Sequence, residues 1–264
     1  MKNKKLGCLL EILLVIIIVS VGIVFAFRCS TKADPDDLNG LDADTAAVFN
    51  AFLTEHKLTL SDYPPELLEL LATNPETEEF VLNYPLLKNK DTVVDLAEHR
   101  NSKQVPLLMQ WDTRWGYRKY GSSVMGISGC GPTCLSMVAV YLLNDTAKDP
   151  AWMAAFSTKN GYCVPGNGTS WTLMSEGAGK LGLKATELPL DKNRMVRELE
   201  AGNPIICVMG PGDFTTTGHF IVLTGIKDGK FTVNDPNSAQ RSRQFWSYEK
   251  ISGQIRNIWA FSKK

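Results

Sequence analysis

A cysteine flanked by two glycines is the residue of this sequence best suited to nucleophilic chemistry. Cys130 stands in residues 128–137, which read SGCGPTCLSM. Pro132 suits the first turn of a helix, where a backbone N–H has no intrahelical partner, and the apolar residues up to position 143 predict a buried helix. Cys130 would then lie at the positive end of that helix, which favours the thiolate, the reactive form of the side chain.

A cysteine nucleophile needs a base, and residues 101–264 contain a single histidine, His219. Gly218 precedes it, and a strongly apolar stretch that predicts a strand follows it. A histidine that opens a core strand can be purely structural. Because the candidate cysteine and the candidate histidine share one domain, we favour the catalytic interpretation.

The imidazole of such a pair must be oriented by a third group. The dipeptide at 228–229, Asp-Gly, predicts a hairpin turn, so the end of the second strand returns beside His219. Asn234 and Asp235 lie there on opposite faces of the strand, so one of them can serve. We choose Asp235 because a carboxylate stabilises an imidazolium better than an amide does. The alternative is an aspartate that caps its own turn before Pro236.

Acyl transfer also needs hydrogen-bond donors for an oxyanion. The backbone N–H of Cys130 is one candidate, and the side-chain amide of Gln110 is the other, although Gln110 could instead pair with backbone groups. Cys134 lies one helical turn after Cys130 and is followed by Leu135 and Met137. We therefore expect it to be a buried and unreactive thiol.

The remaining pattern predicts helices first and antiparallel strands afterwards, the order of an α+β fold. After the Cys130 helix, three more helices are predicted. One begins at residue 149, one ends at residue 181 and one covers 191–201. Strands are predicted at 105–112, 204–209, 219–226 and 230–234, with further edge strands at 244–248 and 257–261.

Residues 41–99 predict three short amphipathic helices, the last of which should stop at Tyr84 and Pro85. The sequence has 28 basic and 28 acidic side chains, but they are unevenly spread. Residues 31–100 hold five basic and fifteen acidic residues, net −10, whereas residues 101–264 hold nineteen and twelve, net +7. The acidic helices could dock on the basic part as a spacer or a lid, or could simply be solvated.

The N-terminus predicts a membrane segment. Lys2, Lys4 and Lys5 precede an uncharged apolar run at 12–27, which, with the residues before it, approaches the ~20 residues that span a bilayer. The lysines should stay on the cytoplasmic side. We expect an uncleaved signal anchor with the rest of the chain extracytoplasmic. The alternative is secretion after cleavage of a signal peptide.

Taken together, the motifs resemble the double-glycine-leader peptidases (bacteriocin-processing peptidases) of the papain-like clan, in a stand-alone, secreted or anchored form. The matching pieces run in that family's order through residues 104–264: VP and Gln110, then GCGPT at 129–133, GHFIVLTG at 218–225 and VNDP at 233–236. The resemblance implies a papain-like α+β fold, with Cys130 as nucleophile, His219 as base, Asp235 as orienter and Gln110 in the oxyanion hole.

These observations predict three parts: a signal anchor at 1–29, an acidic linker and helical segment at 30–100, and a cysteine peptidase domain at 101–264. The expected activity is hydrolysis of a peptide, a protein or a cell-wall cross-peptide. Transamidation by the same residues and a non-catalytic peptide-binding module are the alternatives. No metal or organic cofactor is implied, since the six cysteines form no CxxC pair. The zero net charge suggests no nucleic-acid partner.

Overall fold

The computed structural model describes residue 38, residues 40–166 and residues 168–264, and it is an α+β fold. The helices are α1 Ala43–His56, α2 Pro65–Thr73, α3 Glu78–Leu87, α4 Met125–Ser128, α5 Cys130–Leu143, α6 Pro150–Lys159, α7 Ala178–Lys180, α8 Lys192–Glu200, α9 Ala239–Ser242 and α10 Tyr248–Ile251. The strands are β1 Lys119–Tyr120, β2 Ser123–Val124, β3 Cys163–Val164, β4 Gly168–Thr169, β5 Leu183–Glu187, β6 Ile205–Met209, β7 His219–Lys227, β8 Lys230–Asn234, β9 Phe245–Trp246 and β10 Ile255–Lys263.

Six of these strands form one antiparallel sheet in the order β5-β10-β6-β7-β8-β9. The hairpin between β7 and β8 turns at Asp228 and Gly229, with φ of 51° and 72°, as the sequence predicts. The prediction of an edge strand at 257–261 was wrong. Trp259 pairs with Glu187 on one side and with Ile206 on the other, so β10 is an interior strand and the unpredicted β5 is the edge.

Both faces of the sheet are buried. On one face, β6 and β7 contribute Ile206 and Val222 to a core cluster shared with α5. On the other face, the alternate residues Cys207 and Ile221 pack with Met195 of α8. Strands covered on both sides are apolar at every position, which is why the sequence shows continuous apolar runs here rather than alternation.

Helix α5 runs through the interior. Residues 131–140 are all buried, so the helix is enclosed by the sheet on one side and by α6 and the loops around it on the other. A helix that is apolar on every side is stable only in such surroundings. This burial fixes the position of its N-terminus.

The segment at 105–112 is not a strand, contrary to the sequence-based prediction. Its backbone groups are bonded to partners outside any strand ladder. The side-chain amide of Asn234 donates to the carbonyls of Val105 and Pro106, and the backbone N–H of Gln110 donates to Pro236 O at 2.7 Å. Pro106 has no N–H to donate to a strand ladder, which disfavours a regular strand here. It lies instead as an irregular connection across the end of β8.

The N-terminal helices pack against the rest of the chain through a third apolar cluster. Phe80 of α3 stacks on Tyr117, with ring centroids 4.6 Å apart, and the Tyr117 hydroxyl donates to Phe80 O. The same ring leaves no room for a side chain at Gly116 or Gly126. The prediction that Pro85 ends this helix was wrong, since α3 continues to Leu87 with Pro85 inside it. The division into three domains stays a prediction.

Within the residues that the structure describes, no helix is both long and apolar enough to cross a membrane. The predicted signal anchor at 1–29 and most of the predicted linker lie outside the described residues.

Candidate active site

Cys130 occupies the first position of α5, as its sequence context predicts. The flanking glycines have a packing role: a Cβ at Gly129 would lie 2.5 Å from Met125 O, and one at Gly131 would lie 2.6 Å from Thr169 Oγ1. Neither glycine has a positive φ. They are therefore required by close neighbours on both sides of the cysteine, which remains partly exposed.

His219 begins β7 and lies between Cys130 and Asp235. Its Nε2 is 2.8 Å from Asp235 Oδ1, and the imidazole lies near enough to the Cys130 sulfur for each group to shift the pKa of the other. The bond to the carboxylate uses Nε2, which leaves Nδ1 as the ring nitrogen available to Cys130. The structure thus brings together all three residues that the sequence analysis selected.

Asp235 is fully buried and each of its oxygens is bonded. Oδ1 accepts from the backbone N–H of Asn237 as well as from His219, and Oδ2 accepts from Arg241 Nε at 2.5 Å. Asn234 points the other way and binds the backbone at 105–106. The alternation along the strand therefore separates the two candidates as expected.

Arg241 was not predicted from the sequence as a residue of the site. It lies on the short helix α9, six residues after Asp235, and the intervening PNSAQ gives no periodic pattern that would have placed its guanidinium on the carboxylate. The one available signal was a general rule, that a fully buried carboxylate needs a cationic or hydrogen-bonding partner.

The electrostatics of the site favour an imidazolium–thiolate pair. Burial alone would raise the pKa of Cys130, but the His219 side chain and the backbone N–H groups of Phe220 and Gly131 bring that pKa below its ordinary value. Burial likewise opposes the charged imidazole, yet Asp235 and the Cys130 sulfur raise the pKa of His219. Burial also opposes the charged form of Asp235, and here His219 and Arg241 keep the pKa of the carboxyl below its usual range.

The other described cysteines have different surroundings. Cys134 and Cys207 are fully buried, and burial raises the pKa of both thiols. Cys163 is half-buried in the small β3–β4 hairpin. All four described cysteines carry free thiols, so the structure places no disulfide at the nucleophile helix.

Gln110 is buried and its amide is engaged with the backbone. Nε2 donates to Gly126 O at 2.8 Å and to Ile127 O at 3.2 Å, in the turn of α4 that leads into Cys130. This is the pairing that the sequence analysis held as the alternative to an oxyanion donor. Gln110 therefore anchors the loop immediately before the nucleophile.

Comparison with known proteins identifies a family for this part of the chain. Residues 102–264 match the model of the Peptidase_C39 like family. No curated protein matches the chain.

Three solved structures are similar at low identity. The peptidase domain of Streptococcus ComA, a bi-functional ABC transporter, is 18% identical over 52% of this chain and 93% of its own, with a TM-score of 0.42. A putative C39-like peptidase from Bacillus anthracis is 16% identical over 61% and 95%, with a TM-score of 0.38. A double-glycine motif protease from an AMS/PCAT transporter, solved with its leader peptide, is 20% identical over 62% and 96%, with a TM-score of 0.40.

The family match spans more than half of the sequence and includes every residue of the Cys130–His219–Asp235 cluster. With this family the α+β fold is of the papain-like type, as the sequence analysis expected. The chain belongs to the Peptidase_C39 like family and is a cysteine-type peptidase.

Proposed function

We propose that this chain hydrolyses peptide bonds with Cys130 as nucleophile, His219 as general acid and base, and Asp235 as the group that orients His219. The observation that carries the proposal is the series of neighbouring side chains from the Cys130 thiol through the His219 imidazole to Asp235, a buried carboxylate that is bonded to His219, Asn237 and Arg241. Such a series is what activation of a cysteine nucleophile requires.

The reaction proceeds in two halves. The Cys130 thiolate attacks the peptide carbonyl carbon, and the carbonyl oxygen takes the negative charge of the tetrahedral intermediate. The C–N bond then breaks while His219 gives its proton to the leaving amine, and a thioester remains on Cys130. Water attacks the thioester and passes a proton to His219. The C–S bond breaks, and the acid product leaves with the thiolate restored.

The oxyanion is held by the backbone N–H of Cys130 and by the amide of Gln110. A residue at the start of a helix has no intrahelical partner for its N–H, so the Cys130 group is free to donate. Gln110 serves in this proposal by exchanging its longer bond, the one to Ile127 O, for the oxyanion, while its bond to Gly126 O holds the side chain in place.

The pH dependence of Cys130 alkylation tests the thiolate directly and needs no knowledge of the substrate. Iodoacetamide reacts with thiolates, so each cysteine should label with its own titration curve, read site by site by mass spectrometry. The ordinary thiol pKa is ~8.5, and Cys130 should label well below that pH nearly as fast as it does at neutral pH. The rate of labelling should fall only when the pH drops through the lowered pKa of Cys130. An ordinary thiol curve at Cys130 would refute the proposal.

The pH profile of kcat/KM for hydrolysis should fall a second time, at alkaline pH; we call this fall the alkaline limb and the fall at low pH the acid limb. As the pH rises through the raised pKa of His219, the imidazolium that protonates the leaving amine is lost, so kcat/KM falls there although alkylation does not. A peptidase assay over the same pH range separates the two limbs. The substrate is a peptide or protein segment, in keeping with the family.

We further propose that the enzyme is anchored in the membrane with its catalytic part extracytoplasmic. The support is the sequence alone, namely the three lysines before the apolar run at 12–27. Mass spectrometry of the membrane fraction should find the intact N-terminus. A mature protein that begins near Cys29 would favour secretion instead.

A further inference from the structure

Glu76 lies on the N-terminal helical segment, outside the family match, yet it contacts the turn that carries Asp235. The Glu76 carboxylate accepts from Ser238 Oγ at 2.5 Å and from the backbone N–H of Gln240 at 3.1 Å. Glu76 and Ser238 are separated by 162 positions in the chain. The contact therefore joins two distant parts of the sequence at the turn that follows the candidate catalytic carboxylate, Asp235.

We propose that Glu76 is a positioning residue for catalysis, which holds the 236–242 turn so that Asp235 keeps His219 in its working orientation. The inference rests on the proposed function of the Cys130–His219–Asp235 group. It assigns to the N-terminal helices a role in the chemistry beyond that of a spacer.

The link from Glu76 to the carboxylate has two steps. Ser238 Oγ donates to Glu76 and accepts from the backbone N–H of Arg241 at 3.1 Å, so it caps the one-turn helix α9. Arg241 in turn donates to Asp235 Oδ2. If the start of α9 were displaced, the Arg241 guanidinium that donates to Asp235 Oδ2 would therefore move with it.

A second contact from the same segment fixes the other end of the turn. Asn74 is buried, and its amide donates to Asn237 O at 2.5 Å, which also accepts from Trp111 Nε1 at 3.2 Å. Asn74 Oδ1 accepts from the backbone N–H of Glu76, so both residues sit in one short capped turn. Their two contacts bracket residues 237–240.

Glu76 itself does not touch the nucleophile or the base. His219 and Arg241 are the charged side chains that lower the pKa of Asp235, and His219 is the ionisable side chain that lowers the pKa of Cys130. Cys130 in turn raises the pKa of Cys134 and Tyr120, and Asp235 also raises that of Cys134. An effect of Glu76 on the titration of Cys130 would thus have to pass through the turn. This makes the pH curve of Cys130 a readout that a purely structural role would leave unchanged.

The test compares Glu76→Ala with Glu69→Ala in the full chain. Glu69 is exposed on α2 of the same segment, and its side chain makes no hydrogen bond or ion pair with any described residue. Both variants remove one carboxylate from the acidic segment, so they match in charge. Glu76→Gln, which keeps an acceptor oxygen for Ser238, serves as the conservative rescue.

For Glu76→Ala we expect kcat to fall by roughly 10- to 100-fold with KM little changed, as for a misplaced catalytic group. The acid limb of Cys130 alkylation should move to higher pH by about half a unit or more, because His219 is stabilised less well as imidazolium. Glu69→Ala should match the wild type, and Glu76→Gln should lie between the wild type and Glu76→Ala.

A Glu76→Ala enzyme with the wild-type kcat and acid limb would overturn the inference while leaving the proposed function intact. A wild-type enzyme without a lowered Cys130 pKa would overturn the proposed function itself. Should Glu76→Ala not melt cooperatively, Ser238→Ala breaks the same link from the opposite side. An unchanged acid limb in Ser238→Ala then counts against the inference, and an upward shift supports it.

Discussion

The first and second turns of α5 carry the same residue type in opposite states. Cys130 is partly exposed, and His219 and the backbone N–H groups of Phe220 and Gly131 lower the pKa of its thiol. Cys134, one turn further, is fully buried, and desolvation and the neighbouring Cys130 sulfur raise the pKa of its thiol. About 6 Å along the helix axis separates a thiol with a lowered pKa from one with a raised pKa.

The difference lies in the neighbours rather than in burial alone, since desolvation disfavours both thiolates. Only the first turn has free backbone donors and a histidine within reach. The proposed role of Cys130 as nucleophile therefore depends on its place at the start of α5, and Cys134 in the following turn is the matched comparison.

The largest effect should come from the sulfur itself. Cys130→Ala should lower kcat by about a millionfold, as removal of a nucleophile does elsewhere, while the protein remains folded. Cys134→Ala is the matched control, with an identical substitution four residues away, and should retain kcat within about tenfold. A peptide-cleavage assay compares kcat of the two variants. Equal losses of kcat would mean that Cys130 is no more important to the reaction than Cys134.

Loss of the base should come next. In His219→Ala the pKa of Cys130 should rise, because burial still raises it while the lowering influence of the imidazole is lost. Alkylation of Cys130 at pH 6 should slow by roughly 10²-fold, and hydrolysis should be undetectable. Cys134 should stay unlabelled throughout. An active His219→Ala enzyme would rule out His219 as the base, since no other histidine lies in residues 101–264.

Removal of the orienting charge should be milder. Asp235→Asn keeps a side-chain oxygen near Nε2 but removes the charge that raises the pKa of His219, so kcat/KM should fall by roughly 10²-fold. The alkaline limb should move to lower pH, because the imidazolium now loses its proton earlier. The pH profile of kcat/KM measures this shift, and an unmoved limb would mean that Asp235 does not act on His219.

The smallest effect concerns stability. Cys134→Ala removes one buried sulfur from the core cluster under α5 and should lower the free energy of unfolding by about 1 kcal/mol. Denaturant unfolding of the full chain, compared with Cys130→Ala, should show Cys134 as the costlier of the two. The reverse order would indicate that the second turn is loosely packed.

Local patterns were enough to predict the central parts of the site. The Gly-Cys-Gly-Pro sequence and the apolar run after it placed Cys130 on a helix start, and the Asp228–Gly229 turn placed Asp235 beside His219. These predictions succeeded because helix caps and hairpin turns depend on a few neighbouring residues, and strand alternation then separates Asn234 from Asp235.

What the sequence did not predict depends mostly on contacts between distant residues. Glu76 reaches the Asp235 turn from a helical segment whose placement follows from packing, which no local pattern encodes. Arg241 is near Asp235 in sequence, but the non-periodic turn between them gives no signal for its placement. The segment at 105–112 has the composition of a strand, but its backbone partners are the Asn234 side chain and Pro236 O. The edge position of β5 likewise follows from where β10 inserts.

That insertion has a kinetic consequence. β10 follows every other described strand in sequence, yet it fills the slot between β5 and β6 and contributes Trp259 and Phe261 to the cluster on which α5 rests. Closing the long loops between such distant segments has an entropic cost. We therefore expect the pairings of β10 to form late in folding, and the sheet on which α5 rests to be complete only once they have formed.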